Sequence, residues 1–293
     1  MASLRFPRVL ITGANGSLAR AIARYAPDGT ECVALPRTAL DICNDSSVAH
    51  VLREVQPNLV INGAAYNLVD RAETDGAEDA LRINALGPAK LAAGCREANV
   101  PLVHFSTDFV FDGHKKTPYG ESDAARPLGV YGASKLAGEN IVLATGEQNW
   151  AIRVCRLFGP IPDNLKTQKP AGNFPLLMIK LARERGRVRV VNDQIGTPSY
   201  TPDLARAVWQ LVENSQGGLF QLSNAGEVAF DEYARETLRL AGVPAEVESV
   251  SSEEYGAPAK RPLYSTMSND KAHNFSVTPL RDWRDALREF LSR

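Results

Sequence analysis

Between Val9 and Arg156 the chain alternates short, nearly unbroken apolar runs with longer stretches whose apolar residues return every three or four positions. The runs Val9–Thr12, Glu31–Leu35, Leu59–Asn62, Pro101–Ser106 and Ala151–Arg156 predict strands, and Ser17–Tyr25, Ser46–Val55, Ala77–Ala98 and Val130–Ala144 predict helices between them. Strands that are apolar on both faces belong in a parallel sheet covered by helices on either side. Strand and helix repeating in this order predict an α/β fold, a Rossmann-type doubly wound parallel sheet with right-handed crossovers.

After about Arg156 the rhythm changes. Gly159–Gly172 carries three prolines and two lysines and reads as a long loop. A helix at Phe174–Arg185, a strand at Val188–Val191, a turn-rich segment at Asn192–Pro202 and a helix at Asp203–Val212 follow. A strand at Leu219–Leu222 and helices at Phe230–Ala241 and Leu280–Leu291 complete the pattern. The expected organisation is a dinucleotide-binding domain over residues 1–158 and a smaller C-terminal substrate-binding lobe over 159–293, part of which returns to the first domain. Ligands of open α/β sheets bind outside the carboxyl ends of the strands, so the lobe is where substrate recognition is expected.

Composition narrows the class. Of 293 residues, 44% are hydrophobic and 23% charged, which excludes a disordered or fibrous chain. A net charge of -1 provides no field to recruit nucleic acid or an anionic membrane. No apolar run approaches the ~20 residues of a membrane span, and the N-terminus runs into Val9–Ile11 with no room for a signal peptide. Cys32, Cys43, Cys95 and Cys155 are scattered, which suits free thiols in a reducing cytosol. No metal-ligand spacing is visible. The expectation is a soluble cytoplasmic monomer or homodimer.

Directly after the first strand comes Gly13-Ala14-Asn15-Gly16-Ser17-Leu18-Ala19, opening a helix. Glycines here let the backbone turn with positive φ and approach a ligand closely, and the helix start offers unpaired N–H groups to a pyrophosphate. In a βαβ unit this predicts dinucleotide binding by Gly13, Asn15, Gly16, Ser17 and Leu18. An acidic residue closing strand two would bind the ribose of NADH. The chain has Leu35-Pro36-Arg37-Thr38 instead, and Arg37 can pair with the 2′-phosphate of NADPH. NADPH is therefore favoured, with NADH tolerated. Asp41 and Ile42 are placed to reach the adenine edge, and Ala64, Ala65 and Tyr66, after strand three, stand where a cofactor crosses the sheet.

The residues for ketone chemistry stand further along. Of eight tyrosines, only Tyr131 has a lysine four positions on, Lys135, which a helix places on the same face. The pair opens the helix after strand four, which itself ends in Ser106-Thr107-Asp108. Reducing a ketone requires hydride on carbon and a proton on oxygen, and a phenol of pKa ~10 is a slow donor at neutral pH. A neighbouring ammonium is expected to lower that pKa, and Thr107 to orient the substrate oxygen.

These motifs, with Val69-Asp70-Arg71-Ala72-Glu73, Asn173-Phe174, Asn192–Pro198 and Arg261-Pro262, resemble the extended short-chain dehydrogenase/reductases, and within them the dTDP-4-dehydrorhamnose reductase group. The resemblance spans nearly the whole chain. It implies Thr107, Tyr131 and Lys135 as the catalytic set, Lys135 also holding the nicotinamide ribose. It implies a nucleoside-diphosphate 4-keto-6-deoxy sugar as substrate, with Asp108, Phe109, Arg156, Asn173, Gln194 and Arg261 in its binding site. Two positions depart from the family pattern: Phe109 stands where tyrosine is usual and Arg156 where tryptophan is usual. A dehydratase of this fold carries an Asp-Glu pair after the threonine, and Phe109 replaces the second carboxylate. Two readings stay open beside the reductase. One is a C4 epimerase using the same three residues, the other a non-catalytic NADP-binding partner like the regulatory β subunit of methionine adenosyltransferase.

Overall fold

A computed structural model describes residues 4–161 and 173–292, so the predicted loop Gly159–Gly172 lies outside the described residues from position 162 onward. The five apolar runs form β1 (Arg8–Thr12), β2 (Glu31–Leu35), β3 (Leu59–Asn62), β4 (Leu102–Thr107) and β5 (Trp150–Val154). They pair in parallel in the order β2-β1-β3-β4-β5, and the strand Gly218–Leu222 adds to β5 as the sixth.

The helices are α1 (Ser17–Arg24), α2 (Asp45–Val55), α3 (Val69–Ala72), α4 (Ala77–Leu81), α5 (Gly87–Glu97) and α6 (Val130–Thr145). Strand periodicity distributes side chains to two cores. Val9 and Ile11 of β1 face α1 and the helix Thr201–Asn214, whereas Leu10 faces α2 and α5. All three are fully buried, each contributing ~1.5–3 kcal/mol of apolar burial. Helices on both faces explain why these strands show no polar alternation.

The predicted helix Ala77–Ala98 is interrupted. A π-helical turn, Arg82–Leu86, separates α4 from α5 and turns Asn84 inward, where it is fully buried. Its side chain accepts from the Tyr66 amide at 2.8 Å and donates to the Tyr66 carbonyl and the Ser134 hydroxyl. Such bulges often mark functional sites. Asn84 thereby ties the segment after β3 to α6.

The second half contributes to both layers. The helix Thr201–Asn214 lies against α1, with Trp209 Nε1 donating to the Ile22 carbonyl at 3.0 Å. Phe174–Arg185, Phe230–Leu240 and Trp283–Leu291 form helices, and Arg187–Val191 pairs in parallel with Glu246–Val250. That last strand was not predicted, because Glu-Val-Glu-Ser-Val is mostly polar and exposed. No helix among the described residues is long and apolar enough to cross a membrane. Chain order reverses at β1, flanked by β2 and β3, so the crevice for a ligand opens beyond the carboxyl ends of β1 and β3.

Candidate active site

The crevice is built by close backbone approach. Gly13 sits at φ +65°, and a Cβ there would lie 2.7 Å from the backbone of Gly63 and Ala64. At Gly63 a Cβ would lie 2.9 Å from the Ala19 side chain and the Thr12 carbonyl. Gly63 belongs to this cradle, its contacts joining β3 to a turn some fifty positions earlier. The Ala14 amide donates to the Leu35 carbonyl at 3.1 Å and the Gly16 amide to the Gly13 carbonyl at 2.8 Å, closing the turn. Helix α1 has no side-chain cap and no acidic residue in its first turn. Its positive end, at Ser17 and Leu18, therefore suits a phosphate.

Beneath this turn a buried polar chain fixes β3. Asn62 accepts from the Thr12 hydroxyl at 2.6 Å and from the Ala64 amide at 3.2 Å, and its amide nitrogen lies 3.0 Å from His104 Nδ1. Burial first, and then the charge of Lys135, hold His104 neutral, as expected of a core histidine. At the end of β2, Arg37 is exposed and lies 3.9 Å from Asp41. The Asp41 carboxylate accepts from the Cys43 amide at 3.0 Å. Ile42 is buried and fills the space against Gly87, so it supports the pocket from below.

Thr107 ends β4 and Tyr131 begins α6, whose first turn is capped from outside by Glu73 accepting from the Val130 amide at 2.6 Å. The Tyr131 phenol lies beside Thr107, and its ring meets Phe109 edge-on at 5.5 Å. One turn on, Lys135 is buried and its ammonium donates to the Phe105 carbonyl of β4. The electrostatics differ from the expectation. Burial holds the Tyr131 phenol well above its usual range, the Thr107 hydroxyl opposes this, and the Asp108 charge reinforces it. Lys135 does not depress the phenol, because its ammonium is directed to the β4 backbone. Burial also lowers Lys135 to about 8, against the charge of Glu139.

Other sequence-selected residues are distributed around this centre. Asp108 is buried, accepting from Thr107 at 3.1 Å, Cys155 at 3.0 Å and Ser265 at 2.6 Å, so it anchors the end of β4 to the C-terminal segment. Asn173 caps the helix Phe174–Arg185 and donates to the Gly159 carbonyl at 2.8 Å. Arg156, predicted to lie on strand five, stands beyond it at φ +44°. Its guanidinium donates to the carbonyls of Val228 and Gln194 at 2.8 and 2.9 Å and covers the Phe230 ring at 3.8 Å.

A cleft of about 660 Å³, of ligand-binding size, opens between the Rossmann layer and the lobe. Asp70, Leu128, Phe174, Gln194, Phe230 and Arg261 are among its lining. Arg156 therefore props Gln194 and Phe230 from behind. Arg261 donates to Asp70 at 2.9 Å, joining the two sides. Burial opposes ionisation of Asp70, but the Arg261 guanidinium outweighs it and holds the carboxyl below its usual range. Tyr131 does not itself line the cleft, though Leu128, three residues before it, does. Among the described residues, no cluster of three His, Cys, Asp or Glu side chains could hold a metal.

A doubly wound sheet with a glycine cradle at its switch point and a Tyr-x-x-x-Lys helix beside Thr107 defines an extended short-chain dehydrogenase/reductase. The chain belongs to the family described as RmlD substrate binding domain, matched over residues 7–293. It is 36% identical to the spore coat polysaccharide biosynthesis protein SpsK of Bacillus subtilis, over 97% of this chain and 96% of that one. It is 36% identical to the dTDP-4-dehydrorhamnose reductase of Mycolicibacterium smegmatis, over 96% of this chain and 84% of that one. The crystal structure of dTDP-4-dehydrorhamnose reductase from Bacillus anthracis in complex with NADP superposes with a TM-score of 0.90 at 34% identity, covering 97% of this chain and 98% of that one.

Proposed function

We propose that the protein reduces the 4-keto group of a dTDP-4-keto-6-deoxy sugar with NADPH, NADH serving less well, in deoxysugar or polysaccharide biosynthesis. The observation that carries this reading is the placement of Tyr131, at the start of α6, beside Thr107 at the carboxyl end of β4, with Lys135 one turn on. The names of the relatives support the substrate class. With net charge -1 and a cleft sized for a sugar nucleotide, we infer a cytoplasmic enzyme acting on a small substrate, not on nucleic acid.

When bound, NADPH supplies the hydride for the sugar carbonyl carbon. Gly13, Asn15, Gly16, Ser17 and Leu18 would hold its pyrophosphate, Arg37 its 2′-phosphate, and Ala64, Ala65 and Tyr66 the crossing to the nicotinamide half. The residues of the chain handle the proton. Tyr131, kept neutral by burial, delivers its hydroxyl proton to the carbonyl oxygen as negative charge develops there. Thr107 orients the hydroxyl, and the Lys135 ammonium, one turn on along the helix, would hold the nicotinamide ribose. Phe109, in place of a second carboxylate, leaves no acid–base pair for dehydration.

A screen of 4-keto-6-deoxy sugar nucleotides tests this: NADPH is oxidised with a member of that class and not with dTDP-glucose. Binding of NADPH without turnover of any member would favour the non-catalytic partner. Arg37→Asp is expected to lower the ratio of kcat/KM for NADPH over NADH about tenfold or more, the worth of one charge-assisted contact. An unchanged ratio would reject the 2′-phosphate role. Arg261→Ala, which removes the tie to Asp70 across the cleft, is expected to raise KM for the sugar nucleotide about tenfold with kcat little changed. Steady-state kinetics check it, and an unmoved KM would place Arg261 outside the binding site.

A further inference from the structure

Under the Tyr131–Lys135 turn lies a row of buried polar side chains that this reaction does not use. Ser106 of β4, Arg153 of β5 and Gln221 of the sixth strand are register neighbours across the sheet, and none is more than 2% exposed. Glu139, on α6 one turn beyond Lys135, is 1% exposed and accepts from Arg153 Nε at 2.9 Å and Nη2 at 2.5 Å. Phe111 covers the same guanidinium at 5.0 Å. Among the described residues, Ser106 Oγ, Arg153 Nη1 and both polar atoms of the Gln221 side-chain amide have no hydrogen-bond partner. A buried ion pair in so incompletely satisfied a setting is a poor way to stabilise a core, since apolar residues of similar volume usually do as well or better.

The pair stands beside a group that needs an anion. Lys135 is 3% exposed, and the only group its ammonium donates to among the described hydrogen bonds is the uncharged Phe105 carbonyl. The groups around it are His104 from β4, held neutral, and Tyr131 and Glu139 one turn before and after it on its own helix, with Arg153 of β5 bonded to Glu139. The Glu139 charge works against the burial of Lys135. Arg153 fixes that carboxylate with a two-pronged contact.

We propose that Glu139, clamped by Arg153, is a positioning residue for the reduction, holding the buried Lys135 ammonium in its charged form at working pH. This rests on the role given to Lys135 above. The test is the pH dependence of kcat at saturating NADPH and sugar nucleotide. Glu139→Gln is expected to move the alkaline fall in kcat about one unit lower, so that turnover near pH 8 drops about fivefold and recovers on acidification. Because that variant strands the Arg153 charge, the double variant Glu139→Gln/Arg153→Met removes both charges and is expected to show the same downward move. Glu139→Asp, which retains the anion, is expected to keep the alkaline fall near its original position. A folded double variant whose kcat falls at the original pH would overturn the proposal, leaving the pair a purely structural role. Lys135→Met separates the two claims. If it abolishes turnover, an unmoved profile in the Glu139 variants defeats the Glu139 role alone; if it retains full turnover, the reading of Lys135 falls and this one with it.

Discussion

Tyr131→Phe is expected to cut kcat by about 10²–10⁴-fold, the usual worth of a positioned general acid, while changing NADPH affinity less than about threefold. The ring that packs edge-on against Phe109 is retained, so the fold and the crevice stay as they are. What disappears is the hydroxyl that lies beside Thr107 and is held neutral by burial. That group matters when charge develops on the substrate oxygen, and an interaction made only in the transition state lowers kcat and kcat/KM together. Fluorescence titration of NADPH alongside steady-state turnover separates the two effects. Turnover at the wild-type level would remove Tyr131 from the mechanism. Turnover of the wild type should itself decline as pH rises past about 8, where the Lys135 ammonium is lost.

Gly13→Ala is expected to have the next largest effect, weakening NADPH binding at least about tenfold. Two independent features act at this position. The backbone is left-handed, at φ +65°, a conformation costing a side-chain-bearing residue roughly 1–3 kcal/mol. The new methyl would also press into the Gly63–Ala64 backbone at 2.7 Å, forcing apart the ends of β1 and β3 that frame the crevice. Gly186→Ala is the control. Gly186 has a similar φ of +68° but nothing within 4 Å of the added carbon, so that variant should lose a little stability and keep its cofactor affinity. Binding measured by titration and melting temperature together distinguish them. Equal NADPH affinity in Gly13→Ala and wild type would show that the cradle is not where the dinucleotide lies.

Much of this was readable before any coordinates. Continuous apolar runs located β1 to β5 because both faces of a parallel sheet are covered, and that signal is local. The glycine turn and the Tyr131/Lys135 spacing were readable for the same reason, each lying within a few residues. What escaped depends on partners distant in the chain. The π-turn at Arg82–Leu86 exists because Asn84 reaches Tyr66 and Ser134. The alignment of Ser106, Arg153 and Gln221 follows from strand register, which no stretch of sequence displays. The electrostatics of Tyr131 inverted the expectation because burial, a property of the assembled fold, dominates, and the charge four residues away is directed to the β4 backbone. Arg156 was placed on a strand because its neighbours are apolar, whereas its left-handed backbone turns it behind Gln194 and Phe230.

The most direct test of hydride reduction by this chain follows the hydrogen itself. NADPH deuterated at the transferable position of nicotinamide C4 is incubated with a dTDP-4-keto-6-deoxy sugar, and the sugar product is examined by NMR and mass spectrometry. One deuterium at sugar C4, with one cofactor oxidised per product formed, is the predicted result. A product formed without deuterium at C4 and without net loss of NADPH would contradict it, pointing to epimerisation in place of reduction.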